Sequence, residues 1–249
     1  EDGDKRRNIV MSKLYRWLAD ERETLFALIQ YQAAMPPSGM GVPFKVGSPI
    51  AAAVLSKIGQ QRQTVGHLER KRGETVLYHR IVRHFVKALR TPPYFRNERD
   101  GEKKSDDYKL LVFDDVETAM AVRAVLISNL YYMFFVAVSD AYHCGRDLIM
   151  GFGVGVDAMS QRIRAAIAAI GTRHEADLVK RSVRRKIRYR ATGWIEYDEF
   201  YPRESKEIAD EVDAVLAAHY GLTDEELDFV INYDIKYRMG RDGGADEED

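Results

Sequence analysis

Asp198, Glu204 and Lys206 have the residue types that hydrolyse a phosphodiester. An Asp…Glu-x-Lys set can place two carboxylates on a divalent cation and a lysine beside the attacking water. The plainer reading is structural, because Glu204 and Lys206 fall where a helix begins and their segment is dense in acid. A second candidate is Gly151-Phe152-Gly153-Val154-Gly155, which has the composition of a phosphate or S-adenosylmethionine loop. Such a loop belongs between a buried strand and a helix inside a βαβ unit. No second unit of that kind follows here, so the run reads as a connection into the next helix. The six histidines contain no His-x-x-x-His pair, and His143-Cys144 supplies two ligands where zinc needs three or four. No Gly-x-Ser-x-Gly elbow offers a nucleophilic serine.

Thr91-Pro92-Pro93-Tyr94-Phe95 resembles the (Asn/Asp/Ser)-Pro-Pro-(Tyr/Phe) loop of amino-group DNA methyltransferases. That loop accepts hydrogen bonds from a flipped base's amino group and stacks an aromatic ring on the base. Thr91 is a poor substitute at the first position, and no Gly-rich cofactor loop precedes it. The run therefore reads as a Pro-Pro turn with a buried aromatic.

Charge carries more information than these motifs. The formal net charge is −1, yet the charges are segregated. Lys57 to Lys104 holds 13 Lys and Arg against 5 Asp and Glu, and Gln161 to Arg190 holds 10 against 2. Ala191 to Asp249 reverses the balance, with 5 against 18. Dense basic segments point to a polyanion, most often nucleic acid. Within them Arg80, Arg83, Lys87, Arg96, Arg99, Lys103 and Lys104 interleave with Tyr78, His79, His84, Phe85 and Tyr94. Such cations can neutralise phosphates, and arginine can also read guanine. Farther on, Ser139, Asp140, His143 and Arg146 form a polar loop directly after an apolar run. A rigid helix that presents such a loop can aim side chains into a groove. The bland alternatives are a solvated face that balances the acidic end, and an ordinary helix cap.

The elements that would position these residues follow from periodicity and caps. Lys13 to Tyr31 reads as helical in part, followed by a Pro- and Gly-rich loop from Met35 to Pro43. Ser48 caps a helix from Pro49 to Lys57. Thr75–Tyr78, Phe85–Leu89 and Tyr108–Phe113 read as strands, with an exposed hairpin or loop from Arg96 to Asp107. Val116 to Val138 reads as one long helix. It approaches a membrane span in length, but Arg123 and Asn129 interrupt it, which favours a buried core helix. Met159–Ile170 and Ala176–Ile187 read as two further helices, and Arg188–Tyr201 as extended. Ser205 opens a helix that Gly221 stops. Thr223 and Glu226 then form a capping box, with Leu222 and Leu227 placed as a hydrophobic staple, for a last helix ending at Gly240. Asp242 to Asp249 reads as a disordered acidic tail.

At 249 residues and 45% apolar content the chain can build a core. One cysteine excludes an internal disulfide framework and suits a reducing interior, so a cytoplasmic location is expected. The chain begins with Glu1, and it reads as a piece of something longer.

Over most of its length the sequence resembles the C-terminal region of large restriction–modification adenine-specific DNA methyltransferases, the type IIG class with a TaqI-like specificity domain. The residues that carry the likeness are Pro92-Pro93-Tyr94-Phe95, Tyr108-Lys109, Ala124 through Tyr132, and Ser139-Asp140. The most specific are Glu196-Tyr197-Asp198-Glu199-Phe200-Tyr201-Pro202, Ser205-Lys206, and Asp228 through Gly240, similar to the family's C-terminal signature. One departure is Ala141-Tyr142-His143-Cys144, where the family usually continues with Arg and Asn. The resemblance implies a target-recognition domain that holds double-stranded DNA. The methyltransferase domain of the same parent chain would flip adenine and use S-adenosylmethionine; no cofactor site is expected in this chain itself.

The expected architecture is therefore α+β: a mixed target-recognition domain with short strands around a long buried helix, followed by a C-terminal helical pair. Residues 1–190 would form the DNA-binding unit, residues 191–240 an extended segment and helical pair packed on it, and residues 241–249 the tail. The expected DNA contacts are Arg80, Arg83, Lys87, Arg96, Arg99, Lys103, Lys104, Ser139, Asp140, His143 and Arg146. The rivals are a self-contained nuclease built on Asp198, Glu204 and Lys206, and an interaction or membrane-associated module built on the Val116–Val138 helix.

Overall fold

The computed structural model describes residues 9–17, 19–34, 43–190 and 193–240. Its elements in chain order are β1 (Val10–Met11), α1 (Leu25–Leu28), β2 (Gln32–Ala33), α2 (Pro49–Gly59), α3 (Val65–Leu68), β3 (Glu69–His79), β4 (Ala88–Leu89), β5 (Phe95–Asn97), β6 (Gly101–Glu102), β7 (Tyr108–Phe113), α4 (Val116–Ile127), α5 (Asn129–Val138), α6 (Arg146–Met150), α7 (Gln161–Lys180), β8 (Val183–Tyr189), β9 (Gly193–Glu199), α8 (Lys206–Tyr220), α9 (Asp224–Ile231) and α10 (Ile235–Met239). The strands form three antiparallel sheets, ordered β1-β2, β4-β3-β7 and β6-β5-β9-β8. The fold class is α+β.

The expected long helix is two helices that meet at 66°. Ser128 is the reason. Its backbone is extended, its hydroxyl donates to the Val125 carbonyl at 2.6 Å, and it accepts from the Tyr131 amide at 3.1 Å. One residue thus closes α4 and caps α5. Asp213 of α8 adds to the cap by accepting from the amides of Asn129 and Leu130, both at 3.0 Å. All ten residues of α5 are buried, so the apolar run is core. Arg123, which interrupts it, is buried too. It donates to the Ala88 and Gly171 carbonyls at 3.1 and 2.7 Å and lies 3.4 Å from Glu175. Among the described residues no single helix is long and apolar enough to cross a membrane; only the bent pair α4–α5 reaches that length together.

The three-stranded sheet packs on α4, with α7 and α8 against the same helix. The β3 strand is longer than the expected Thr75–Tyr78, and it bulges between Glu69 and Glu74. Gly73 permits the bulge: its φ is +137°, and a Cβ there would collide with the Phe113 carbonyl. Of the expected strand Phe85–Leu89, only Ala88–Leu89 pairs. Phe85 instead packs beneath the Arg238 guanidinium, 4.2 Å from its ring.

The two helices expected over Met159–Ile170 and Ala176–Ile187 are one, α7, capped by Ser160. It passes through Gly171, where a Cβ would stand 3.3 Å from Met120 and 3.5 Å from Arg123. Val183–Tyr189 is not helical. It pairs with β9 residue for residue, from Val183 opposite Glu199 to Tyr189 opposite Gly193. Val183 and Ile187 are four apart, a spacing that suits one face of either a helix or a strand, which is why periodicity misassigned them. The boundary expected after residue 190 falls inside this hairpin, and β5 from the first expected unit pairs with β9 from the second.

At the ends, the helix expected in Lys13–Tyr31 reduces to a 3-10 turn at Ala19–Glu21 and the single turn α1. Lys13 and Arg16 instead strap this stretch across α5 and the C-terminal elements, through Tyr132 of α5, Asp234 at 3.0 Å and the Tyr237 ring. Ser205 does not cap α8; its hydroxyl donates to Asp177 at 2.8 Å. Thr223 and Glu226 do form the capping box, and Gly221 ends α8 at φ +65°. The last expected helix breaks at Asn232–Asp234, where Asp234 is left-handed at φ +52°. Most of the Pro-Gly loop and the acidic tail lie outside the described residues.

Candidate nucleic-acid interface

The expected contact residues fall into two neighbouring groups. The first surrounds a groove of about 440 Å³ lined by Tyr78, Arg80, Lys109, His143, Cys144 and Arg146 among others. It is built where the loop after α5 crosses the end of β3: Ile81 bridges His143, and Cys144 donates its amide to the Arg80 carbonyl at 2.7 Å. Ser139 is buried and does structural work. It donates to Phe135 at 2.6 Å and accepts from the Ala141 amide at 2.9 Å, closing α5. Asp140 and His143 are exposed. Asp140 accepts from the amides of Tyr142 and His143, at 2.9 and 2.7 Å, and meets the His143 ring at 2.7 Å. Partial burial raises the Asp140 carboxyl, but these hydrogen bonds outweigh it and hold the group down at about 2. Asp140 therefore fixes His143 and stays anionic, which makes it a poor phosphate contact. Burial pushes the Cys144 thiol up to about 11, so it lines the groove as an inert wall.

Two groove arginines already face carboxylates. Arg80 meets Asp107 at 2.9 Å, and Arg146 meets Glu69 and the Leu110 carbonyl, the latter at 3.2 Å. Lys109 has no carboxylate at ion-pair distance among the described residues. Arg83 and Lys87 sit in the β3–β4 connection, outside the groove lining and outside the four-stranded sheet.

The second group lies on the sheet β6-β5-β9-β8. Arg96 is on β5, Arg99 in the β5–β6 turn, and Lys103 and Lys104 just after β6. Lys103 pairs with Asp106 at 3.1 Å, one residue from the Asp107 that holds Arg80, so the two groups adjoin. Arg99 lies 3.7 Å from Asp100. In-register pairing puts Arg96, Arg184, Lys186, Arg188, Trp194, Glu196 and Asp198 on one face of this sheet. Arg184 pairs with Asp198 at 2.7 Å and lies 3.6 Å over the Tyr94 ring; Lys186 pairs with Glu196 at 2.9 Å. On the other face Arg185 meets Glu199 at 2.5 Å and Tyr201 at 2.7 Å. Among the described residues, Arg96, Lys104, Arg188 and Arg190 have no carboxylate at ion-pair distance.

Reasoning from sequence missed Arg184, Arg185, Lys186, Arg188, Arg190 and Trp194 as contact residues, because their segment read as helix or plain extended chain. The available signal was the alternation in Val183-Arg184-Arg185-Lys186-Ile187-Arg188-Tyr189. Every second residue from Arg184 is cationic, and two of the three residues between, Ile187 and Tyr189, are β-branched or aromatic.

The motifs that suggested catalysis have other occupations. Tyr94 enters β5, donates its amide to Asp198 at 3.1 Å, and has its ring covered by Arg184. The Gly151–Gly155 run is closed by the protein itself: Gln63 accepts from the Val154 and Gly155 amides at 2.9 Å, and Tyr220 donates to the Gly153 carbonyl at 2.8 Å. Asp198, Glu204 and Lys206 pair separately, with Arg184, Arg181 and Asp210. Among the described residues no three His, Cys, Asp or Glu side chains converge on a possible metal position. Comparison with protein-family models, with curated proteins and with solved structures found no match for this chain.

Proposed function

We propose that this chain binds double-stranded DNA, as the specificity part of an S-adenosylmethionine-dependent adenine-specific DNA methyltransferase of a restriction–modification or phage-defence system. One observation supports DNA binding above the others. Two basic segments about 95 residues apart along the chain, from midpoint to midpoint, contribute cations to a single sheet and its flanking turns, and among the described residues Arg96, Lys104, Arg188 and Arg190 make no ion pair. Structural self-neutralisation accounts for the pairs on Arg80, Lys103 and Arg146; among the described residues Lys104 and Arg190 have no such pair, while Arg96 stands opposite Glu196 without an ion pair and Arg188 lies over the Trp194 ring. The polar groove beside the sheet, with Lys109 and His143 at its wall, supplies side chains able to reach base edges.

The assignment to a methyltransferase rests on the sequence resemblance. On this reading the cofactor and the catalytic loop reside in the methyltransferase domain of the same parent chain, which is the protein partner, and the location is cytoplasmic. Gel-shift with duplex and single-stranded oligonucleotides, with calorimetry for S-adenosylmethionine, tests the division of labour. Retention of the duplex and no heat from the cofactor are expected. Cofactor binding or methyl transfer by this chain alone would contradict it.

A further inference from the structure

We infer that β8 is a phosphate rail: it lies along one sugar–phosphate strand of a DNA duplex and fixes the protein's register there without reading bases. This rests on the duplex binding proposed above. The β8 strand is the outermost of its sheet, and all seven of its residues are exposed. It carries four cations and no carboxylate, and Arg190 follows it. Arg184, Lys186 and Arg188 project from one face, spaced about 7 Å apart by the two-residue repeat of a strand. A duplex presents each strand's phosphates as a regular line of negative charge, so a straight row of cations on an unobstructed edge is complementary to it. Trp194 flanks the row on the same face: its ring lies 5.4 Å from Lys186 Nζ and 6.0 Å from the Arg188 guanidinium.

Edge strands also carry charge merely to prevent strand-to-strand aggregation. That purpose is served by one or two charges, most often lysines. It does not explain a row of one sign whose balancing acids, Glu196 and Asp198, are set back on the inner strand. Those exposed pairs are weak and exchange readily for phosphate.

Fluorescence anisotropy of the full chain against several mixed-sequence duplexes, over a salt series, tests this. The variant Arg184→Gln/Lys186→Gln/Arg188→Gln should lose affinity by the same factor on every duplex. Its log–log salt slope should shrink by about 2 to 3, near 0.9 for each phosphate contact removed. Glu196→Gln, which releases Lys186, should bind more tightly, a gain that misfolding cannot produce. If the wild type binds and the triple variant keeps its slope, the rail is wrong and the duplex reading stands. A changed preference among sequences would overturn it in favour of base reading. Self-association lost in the triple variant, with unchanged DNA binding, would assign β8 to pairing between copies. If the wild type binds no duplex, the proposed function falls with the rail.

Discussion

Arg238 donates from Nη1 to the Oδ1 of Asn129 at 2.6 Å, inside the protein. The guanidinium also donates to the His84 carbonyl at 2.9 Å and lies between the Phe85 and Tyr132 rings, 4.2 and 4.1 Å from their centres. Asn129 in turn donates to Asp210 and Asp213, each at 2.7 Å. The end of the chain is thereby tied to the start of the buried helix α5 and to α8. The Asp228–Gly240 segment thus has a structural role: through Arg238 it clasps the core.

Arg238→Met should therefore destabilise strongly. Its removal leaves Asn129 Oδ1 and the His84 carbonyl without this donor, at a cost of roughly 1–3 kcal/mol for each buried acceptor. Urea denaturation measures it; a loss below about 1 kcal/mol would show that α5 is held by packing alone.

The start of α9 is set by Thr223 and Glu226, which exchange hydrogen bonds at 3.2 and 2.7 Å while Glu226 also meets Lys57 at 2.5 Å. Thr223→Ala should cost about 1 kcal/mol. Leu227 is only half-buried, so Leu227→Ala should cost about 2 kcal/mol, the low end for a core truncation. Both proteins, once folded, should keep wild-type DNA affinity, because the acidic residues at the start of α9 would repel phosphate. A folded variant that loses DNA would move the recognition surface here.

His174 gives a pH signature. Burial and the adjacent Arg123 guanidinium push its imidazole down to about 3, against about 6.5 in the unfolded chain. The folded state then binds fewer protons in that interval, so the contribution is complete above about pH 6.5 and is lost as pH falls. The loss should approach roughly 1.4 kcal/mol per pH unit. Asp213, raised by burial to about 6, works in the opposite sense between about pH 4 and 6. Denaturation of wild type and His174→Gln at pH 5 and 7 separates the two, since only the His174 component disappears in the variant. Equal pH dependence in both proteins would contradict the assignment.

Lys104 is exposed and has no carboxylate at ion-pair distance among the described residues. Lys104→Ala should weaken DNA binding several-fold at low salt and leave the melting temperature within about a degree, as exposed substitutions usually do. A melting shift without a binding change would make Lys104 structural.

The features legible in the sequence were local ones. Ser48, the Thr223–Glu226 box and Gly221 act through neighbours within a few positions, and each helix they bound is present. The break at Ser128 was hidden because the apolar run continues across it, and Asp213, which reinforces the cap, lies more than 80 residues away. The β8 strand was hidden because a four-residue spacing fits both periodicities. The expected contacts in the basic segment were chosen by charge, and charge does not reveal which arginines already hold a carboxylate. Arg80 and Arg146 do, whereas among the described residues Arg188 and Arg190, in a segment read as plain extended chain, do not.

The most direct measurement is duplex-DNA affinity of this chain over a salt series. Binding should weaken steeply with salt, with a log–log slope of roughly −4 to −8, as contact with about five to nine phosphates requires. No binding at low salt, or an affinity indifferent to salt, would contradict a nucleic-acid interface on the basic sheet.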